Sequence, residues 1–434
     1  MTRLILSLLL ASLTLSAKSI NFQKLLSSAT NASNRLKIFK TDESIESARL
    51  ETIYGQYYPN LSVAYNTEYN RDLNGCAAGE EAVGDTSSTS GTRYQCSLCL
   101  IRNYEVEHYG NKQKCINIAQ SEVNLEPLRW WEEEKKLHQE ILERYNSALK
   151  MKIQSTLKEQ MLEVREELFE VKKRLYRAGK YSKVDLGDEA ITIIDMEREI
   201  ERASMQYQED IITLSSLTYS ELDETKTELL PIGYSQVDVL ADDFEETTEG
   251  HKYSQQIRQK QEEISMYNRS QFPTLSMYGN YYMYGSDPSD AYDSFEAVQR
   301  NSWKLGLSLR MSIFEGFKYN NESERLRYEL QRIKQEREMR KREYEYDAKA
   351  KTSKIIHLVA LEEKDQGLYE QTQEKIEMVD RLRENHQVDS VSALNAKLEG
   401  LERELNLKIE QSETAYEKAS LDILYRGIGQ CSQH

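Results

Sequence analysis

Proline and glycine are scarce, at 5 and 18 residues in a chain of 434. Both interrupt helices, so their scarcity argues against a loop-rich or disordered chain and for long helices. Long hydrophobic runs are missing as well. The mean hydropathy is -0.72, and no internal run approaches the ~18 apolar residues of a spanning helix, which excludes a polytopic helical membrane protein. Positive charge is in deficit, with 57 Lys and Arg against 73 Asp and Glu and a net charge of -16. Phosphate binding needs a net basic face, so a nucleic-acid partner is not expected. The six histidines are scattered, and no HExxH, GxSxG or GxxxxGK[ST] pattern occurs, so the chain reads as a non-enzyme without cofactor or metal. None of these absences excludes a membrane β-barrel, whose strands are only half apolar.

What is present begins with an address. Arg3 followed by the apolar stretch Leu4 to Leu15, and small residues ending at Ala17, reads as a signal peptide over 1–17. It is too short to span, and no Cys follows the expected cleavage point to carry a lipid. The mature chain then enters an oxidising compartment. Cys76, Cys96, Cys99 and Cys115 cluster in one stretch and are disulfide candidates, with the pairing open. A zinc site at Cys96-x-x-Cys99 lacks a second CxxC or a paired His. Cys431 is left over.

The chain reads as a duplication. Tyr58-Pro59-Asn60-Leu61 and Phe272-Pro273-Thr274-Leu275 each follow a helical stretch. Pro59 and Pro273 end the helices, and beyond each the period changes to two. The clearest strand sets Trp303, Leu305, Leu307, Leu309, Met311 and Ile313 on one face, and Lys304, Gly306, Ser308, Arg310 and Ser312 on the other. One face wants an apolar environment and the other a polar one. Strand pairs are expected at about 60–73 with 115–125, and at about 273–286 with 302–314, around loops at 75–114 and 286–301. The aromatics Tyr57, Tyr58, Trp130, Trp131, Phe314 and Phe317 sit where these strands should cross membrane interfaces.

Between the strand pairs the periodicity is helical. Leu157, Met161, Val164, Leu168, Val171 and Leu175 form a heptad seam, and Leu394, Leu398, Leu401 and Leu405 repeat it. A helix from about Leu128 to Gly179 would be roughly 75 Å long, and one from Lys318 to His386 longer. Each turns back, at Gly179 and at Asn385-His386, into returning helices at about 183–219 and 389–427. The organisation is a first repeat over 18–220, an acidic connector over 221–252 and a second repeat over 253–434.

Four amphipathic strands cannot close a barrel, and a spanning sheet cannot leave edges in lipid. Strands must be pooled between copies, two chains for 8 or three for 12. An edge of a soluble sandwich would need a second sheet, for which the helices leave no sequence. The competing class is a secreted or surface coiled-coil adhesin without a pore. Four two-faced strands discriminate against it.

In the second half the strings Phe272-Pro273-Thr274-Leu275-Ser276, Trp303-Lys304-Leu305-Gly306-Leu307-Ser308-Leu309 and Ile313-Phe314-Glu315-Gly316 carry a resemblance. Tyr176-Arg177-Ala178-Gly179 with Val184-Asp185-Leu186 adds to it. The chain resembles the TolC family of outer-membrane efflux and secretion channels over nearly its whole mature length. The resemblance implies a mainly α fold with membrane β: a homotrimer whose 12-stranded transmembrane barrel, four strands per chain, continues into a long α-helical barrel in the periplasm. It implies passage of substrates driven by an inner-membrane pump, proton-driven or ABC type, through a periplasmic adaptor, with outer-membrane lipid around the strands.

On that basis Trp303, Leu305, Leu307, Leu309, Met311 and Ile313 face lipid, and Glu68, Lys304 and Arg310 face the lumen. The acidic chain would suit a cation-preferring conduit. The resemblance places the entrance gate at the hairpin tips. Gly179, Asp185 and Asp188 form the tip of the first repeat, and His386, Ser392 and Asn395, with Asp389 nearby, that of the second.

Overall fold

The computed structural model describes residues 18–70, 93–107, 110–223, 227–233, 243–287, 290–298 and 300–425. The expected signal segment, Cys76 and Cys431 lie outside the described residues. The strands are β1 (Lys18–Ile20), β2 (Asn60–Asn70), β3 (Arg93–Glu107), β4 (Thr227–Leu229), β5 (Thr274–Asp287) and β6 (Arg300–Arg310). The helices are α1 (Phe22–Ala32), α2 (Asn34–Gln56), α3 (Asn111–Arg177), α4 (Lys183–Thr218), α5 (Thr248–Arg269), α6 (Ala291–Glu296), α7 (Lys318–Glu384) and α8 (Ser390–Tyr425).

The duplication is visible in the boundaries. Helices α3 and α7 are both 67 residues long, and α4 and α8 are both 36. Each boundary of the first pair recurs in the second at one constant offset along the chain. Among the described residues, no helix is long and apolar enough to cross a membrane.

One expected strand is displaced. Residues 115–125 lie in α3, and the partner of β2 is β3, inside the stretch expected to be loop. Ser121 and Leu125, both buried, stand four residues apart, about one helical turn. Helix α3 also runs through Pro127. That residue forfeits one backbone bond, which a long packed helix tolerates, so the helix expected from about Leu128 starts earlier, at Asn111.

Contacts divide the chain into two units: Met1–Thr41, Pro127–Lys252 and Arg337–His434 form one, and Asp42–Glu126 with Tyr253–Glu336 the other. The first unit is helical. Ile141, Leu142 and Tyr145 of α3 pack with Ile211 and Leu214 of α4 and with Phe22, Leu25 and Ala29 of α1. The connector does lie against this core: β4 pairs in parallel with β1, and Leu229, Ile232 and Phe244 are buried. The Tyr145 hydroxyl is shared between the carbonyls of Ile20 at 3.0 Å and Leu230 at 2.5 Å, and that of Tyr207 donates to Thr227 at 2.7 Å. The two heptad seams meet in a second cluster, where Met161, Val164 and Leu168 of α3 pack with Met196 of α4 and Val391, Leu394 and Leu398 of α8.

The second unit carries one antiparallel sheet in the order β2-β3-β5-β6. The ladder between β5 and β6 ends at Thr274 opposite Arg310, because Pro273 has no N–H to continue it. Met311 and Ile313, expected in the strand, therefore lie just past its end.

Candidate functional site

Residues paired across an antiparallel ladder share a face. The register aligns Val63, Leu100, Tyr281 and Trp303 in one row, and Leu61, Arg102, Gly279 and Leu305 in the next. Met277 and Leu307 pair on the same face, as do Leu275 and Leu309. Trp303, Leu305, Leu307 and Leu309 are 66–75% exposed, and Ile313, beyond the strand, 95%. Each such side chain left in water forgoes about 1.5–3 kcal/mol relative to burial. Arg102 interrupts the middle of this face, and Asp287 lies at its end opposite Tyr94. Beside Gly279 the long stem of Arg102 can lie along the sheet while its charge reaches water.

The opposite face is polar. Ser62, Ile101, Asn280 and Lys304 form one row, and Ala64, Cys99, Tyr282 and Ser302 another. Lys304 Nζ lies 5.7 Å from the Tyr282 ring centroid, and Tyr282 stacks on Tyr284 at 5.8 Å. Glu68 and Glu105 share this face with Lys304 and Arg310. Of the six expected apolar residues the four within β6, Trp303, Leu305, Leu307 and Leu309, fall on the side opposite the three expected polar ones, as the alternation requires.

Among the described residues Cys96, Cys99 and Cys115 are not paired with one another. Cys96 lies on the apolar face and Cys99 on the polar one. Three residues apart on a strand they are ~10 Å apart, beyond the ~7 Å that a disulfide bridges. The same divergence removes the zinc reading. Cys115 lies on α3, its Sγ 3.4 Å from Met266 Sδ. Cys96, Cys99 and Cys115 are all free thiols. Among the described residues no group of three His, Cys, Asp or Glu could hold a metal.

Of the expected interface aromatics, Tyr58, Phe314 and Phe317 are exposed, and Phe314 meets Phe317 edge-on at 5.6 Å. Trp130 and Trp131 lie instead within α3, Trp130 against the helical core. The strand expected beside them is part of α3.

The hairpin tips are built alike. At the end of α3, Gly179 N–H donates to Tyr176 at 2.9 Å and Lys180 N–H to Leu175 at 2.9 Å. At the end of α7, His386 N–H donates to Arg383 at 3.0 Å and Gln387 N–H to Leu382 at 2.9 Å. Both are Schellman turns, which need a left-handed residue. Gly179 has φ 76° and His386 φ 58°. Ser182 then caps α4. Its Oγ accepts from Asp185 N–H at 3.1 Å, and its own N–H donates to Asp185 Oδ2 at 3.1 Å. The Ser182 hydroxyl also donates to Asp185 Oδ2 at 2.8 Å, and this bond first, then the Ser182 N–H, holds the Asp185 carboxyl below the usual carboxylate range. In the second tip Asp389 takes the capping place, its Oδ1 accepting from Ser392 N–H at 3.2 Å. Asp188, Ser392 and Asn395 are exposed.

A second stripe, not legible as a seam in the sequence, runs along α4 to its cap at Tyr219. Val184, Ile191, Met205, Ile212 and Tyr219 are exposed. They keep one heptad phase, in which Arg198 takes the remaining place. Their signal is the same spacing of seven, diluted by charged neighbours.

No protein-family model matches the chain, and no curated protein matches it. Solved structures do. The chain is similar to CusC (TM-score 0.76, 13% identity, 94% of this chain and 92% of that one), described for conformational changes accompanying folding and transmembrane channel formation. It is similar to the outer-membrane protein VceC of Vibrio cholerae (0.75, 12%, 94% and 96%). It is also similar to the outer-membrane channel CmeC of Campylobacter jejuni (0.74, 11%, 93% and 85%). At this identity the likeness shows the fold: the chain has the fold of the TolC-like outer-membrane channels.

Proposed function

We propose that the chain is one protomer of a homotrimeric outer-membrane channel that extends into the periplasm and gives passive exit to substrates. An inner-membrane pump, proton-driven or ABC type, drives them through a periplasmic adaptor. The observation that carries this reading is the sheet. Its order leaves β2 and β6 as edges, and one face exposes Leu61, Val63, Trp303, Leu305, Leu307 and Leu309. Lipid satisfies that face, and only pairing between copies satisfies the edges. Three copies supply the 12 strands of a closed barrel with its polar face inward. The exposed heptad stripe of α4 supports the same assembly, since it offers a neighbouring helix a coiled-coil seam. An adhesin without a pore has no use for four two-faced strands.

Cross-linking in detergent should give a three-chain species from the outer-membrane fraction, and planar bilayers should show discrete conductance steps. A monodisperse monomer in water without detergent would overturn the reading.

A further inference from the structure

The apolar face of the sheet is not bare over its whole height. Thr67, Cys96 and Gly285 make one row across it, and this row offers neither bulk nor hydrophobicity to a membrane. Helix α6, from the segment between β5 and β6, lies on it. Ser294 Oγ donates to Cys96 Sγ at 2.8 Å, and Phe295 meets the Tyr65 ring edge-on at 6.0 Å. A Cβ at Gly285 would stand 1.9 Å from the Ser294 carbonyl oxygen, so only glycine leaves room for the helix there. Cys96 and Ser294 are buried as a result.

The flanks of α6 differ. Ser294 faces the sheet, its Oγ on Cys96 Sγ, and the Ala291 carbonyl lies 3.7 Å from the same sulfur. Tyr292 and Phe295, three apart on one flank, are 66% and 55% exposed. Asp293 and Glu296, also three apart, are exposed on another, and Asp290 caps the start by accepting from Tyr292 N–H at 3.3 Å. A helix with a small-residue back, an aromatic flank and an acidic flank fits a boundary between oil and water. Thr67 lies seven steps along β2 from Asn60, about 16 Å of height at a 45° tilt, in the outer half of an apolar band about 25 Å tall.

We propose that α6 is a lipid-boundary element of the outer leaflet: it plugs the polar gap in the apolar face and sets Tyr292 and Phe295 at the headgroup–acyl boundary, with Asp293 and Glu296 turned to water. This rests on the reading of the apolar face as lipid-facing. Trp303, on the same face, serves as the reporter of that reading.

The test uses the full-length trimer in phosphatidylcholine vesicles carrying bromine either near the carbonyl or near the methyl end of the acyl chain. Trp130 and Trp131 are present throughout and are subtracted as a common baseline. In the unaltered protein, Trp303 should lose fluorescence to the brominated lipids. In the Trp303→Phe, Phe295→Trp protein, the indole should be quenched more by the shallow bromine than by the deep one. Adding Gly285→Val should abolish that quenching by evicting the helix. A heat-resistant trimer band checks assembly of each variant. Quenching of Trp303 without any quenching at position 295 overturns the role of α6 and leaves the channel reading intact. Quenching at position 295 that survives Gly285→Val also overturns the docking of α6 on this row. Absence of quenching at both positions overturns the channel reading together with the inference.

Discussion

Gly179 and His386 hold the same left-handed place in equivalent Schellman turns, with φ of 76° and 58°. A side chain in that region costs roughly 1–2 kcal/mol, which glycine avoids. His386→Gly should therefore stabilise the second hairpin by about 1 kcal/mol, and Gly179→Ala should destabilise the first by a similar amount. Hydrogen exchange of the amides flanking each turn reads the two effects separately. A slower-exchanging first hairpin in Gly179→Ala would contradict the assignment.

The hairpins differ more below their tips. Glu189 of α4 is buried and receives Arg165 at 3.0 Å and Lys172 at 2.6 Å from α3. At the constant offset of the duplication the second hairpin has Ala396, Thr372 and Val379, so it packs without ions there. Removing Glu189 strands two partly buried cations, at a cost on the order of 3 kcal/mol. Glu189→Ala should accelerate exchange on both sides of the first turn. Ala396→Ser, which strands no charge, should leave the second hairpin close to its original rate.

Much of this was legible in the sequence. The heptad seam from Leu157 to Leu175 is buried as a stripe through Leu168. The alternation from Trp303 to Arg310 names both faces of β6, and the prolines at 59 and 273 mark where β2 and β5 begin. Strand β3 was obscured by its own contents. Arg102 breaks the apolar alternation of Tyr94, Cys96, Leu98 and Leu100, and the cysteines suggested a stapled loop. The helix expected from about Leu128 begins at Asn111 and so takes in 115–125, where the alternation is weak. The capping role of Asp185 depends on the Ser182 rotamer, and the docking of α6 depends on the depth of the notch at Gly285. Neither follows from residue type.

His138 predicts a pH dependence. Burial lowers its pKa to about 4, and its Nε2 lies 2.9 Å from Thr30 Oγ1, which in turn donates to Glu134 at 3.1 Å. Neutral His138 thus donates to Thr30. Its pKa in the unfolded chain is near 6.5, above the folded value, so the fold resists its protonation. The contribution to stability is whole above pH ~6.5 and is lost progressively as pH falls toward about 4, by about 3 kcal/mol in all. Burial raises the Glu134 carboxyl. That acts oppositely, favouring the fold when Glu134 is protonated, so the test must isolate the imidazole. His138→Gln should show a smaller fall in melting temperature between pH 7 and pH 5 than the unaltered protein. An equal fall in both would remove His138 as the cause.

The tips give the last prediction. If the hairpins converge on the entrance of a trimer, each protomer brings Asp185 and Asp188 to it. The two acids are not equivalent. Asp185 is committed to the capping box with Ser182, which holds its pKa down. It is ionised at neutral pH, and its contribution to the cap fades only as pH falls through that lowered value. Asp185→Ala therefore removes a charge and a cap together, and a change in conductance could reflect a frayed α4. Asp188 is exposed and takes no part in the capping box, so Asp188→Asn isolates the charge. In planar bilayers it should lower the preference for potassium over chloride while leaving the helix start intact by hydrogen exchange. In the second tip the charge sits at the cap, Asp389, and the positions matching Asp185 and Asp188 are Ser392 and Asn395. Ser392→Ala and Asn395→Ala should alter conductance with little effect on ion preference if that tip forms the narrowest ring. If Asp188→Asn leaves selectivity unchanged and both second-tip variants leave conductance unchanged, the entrance is not gated at these residues, although the strands could still form the channel.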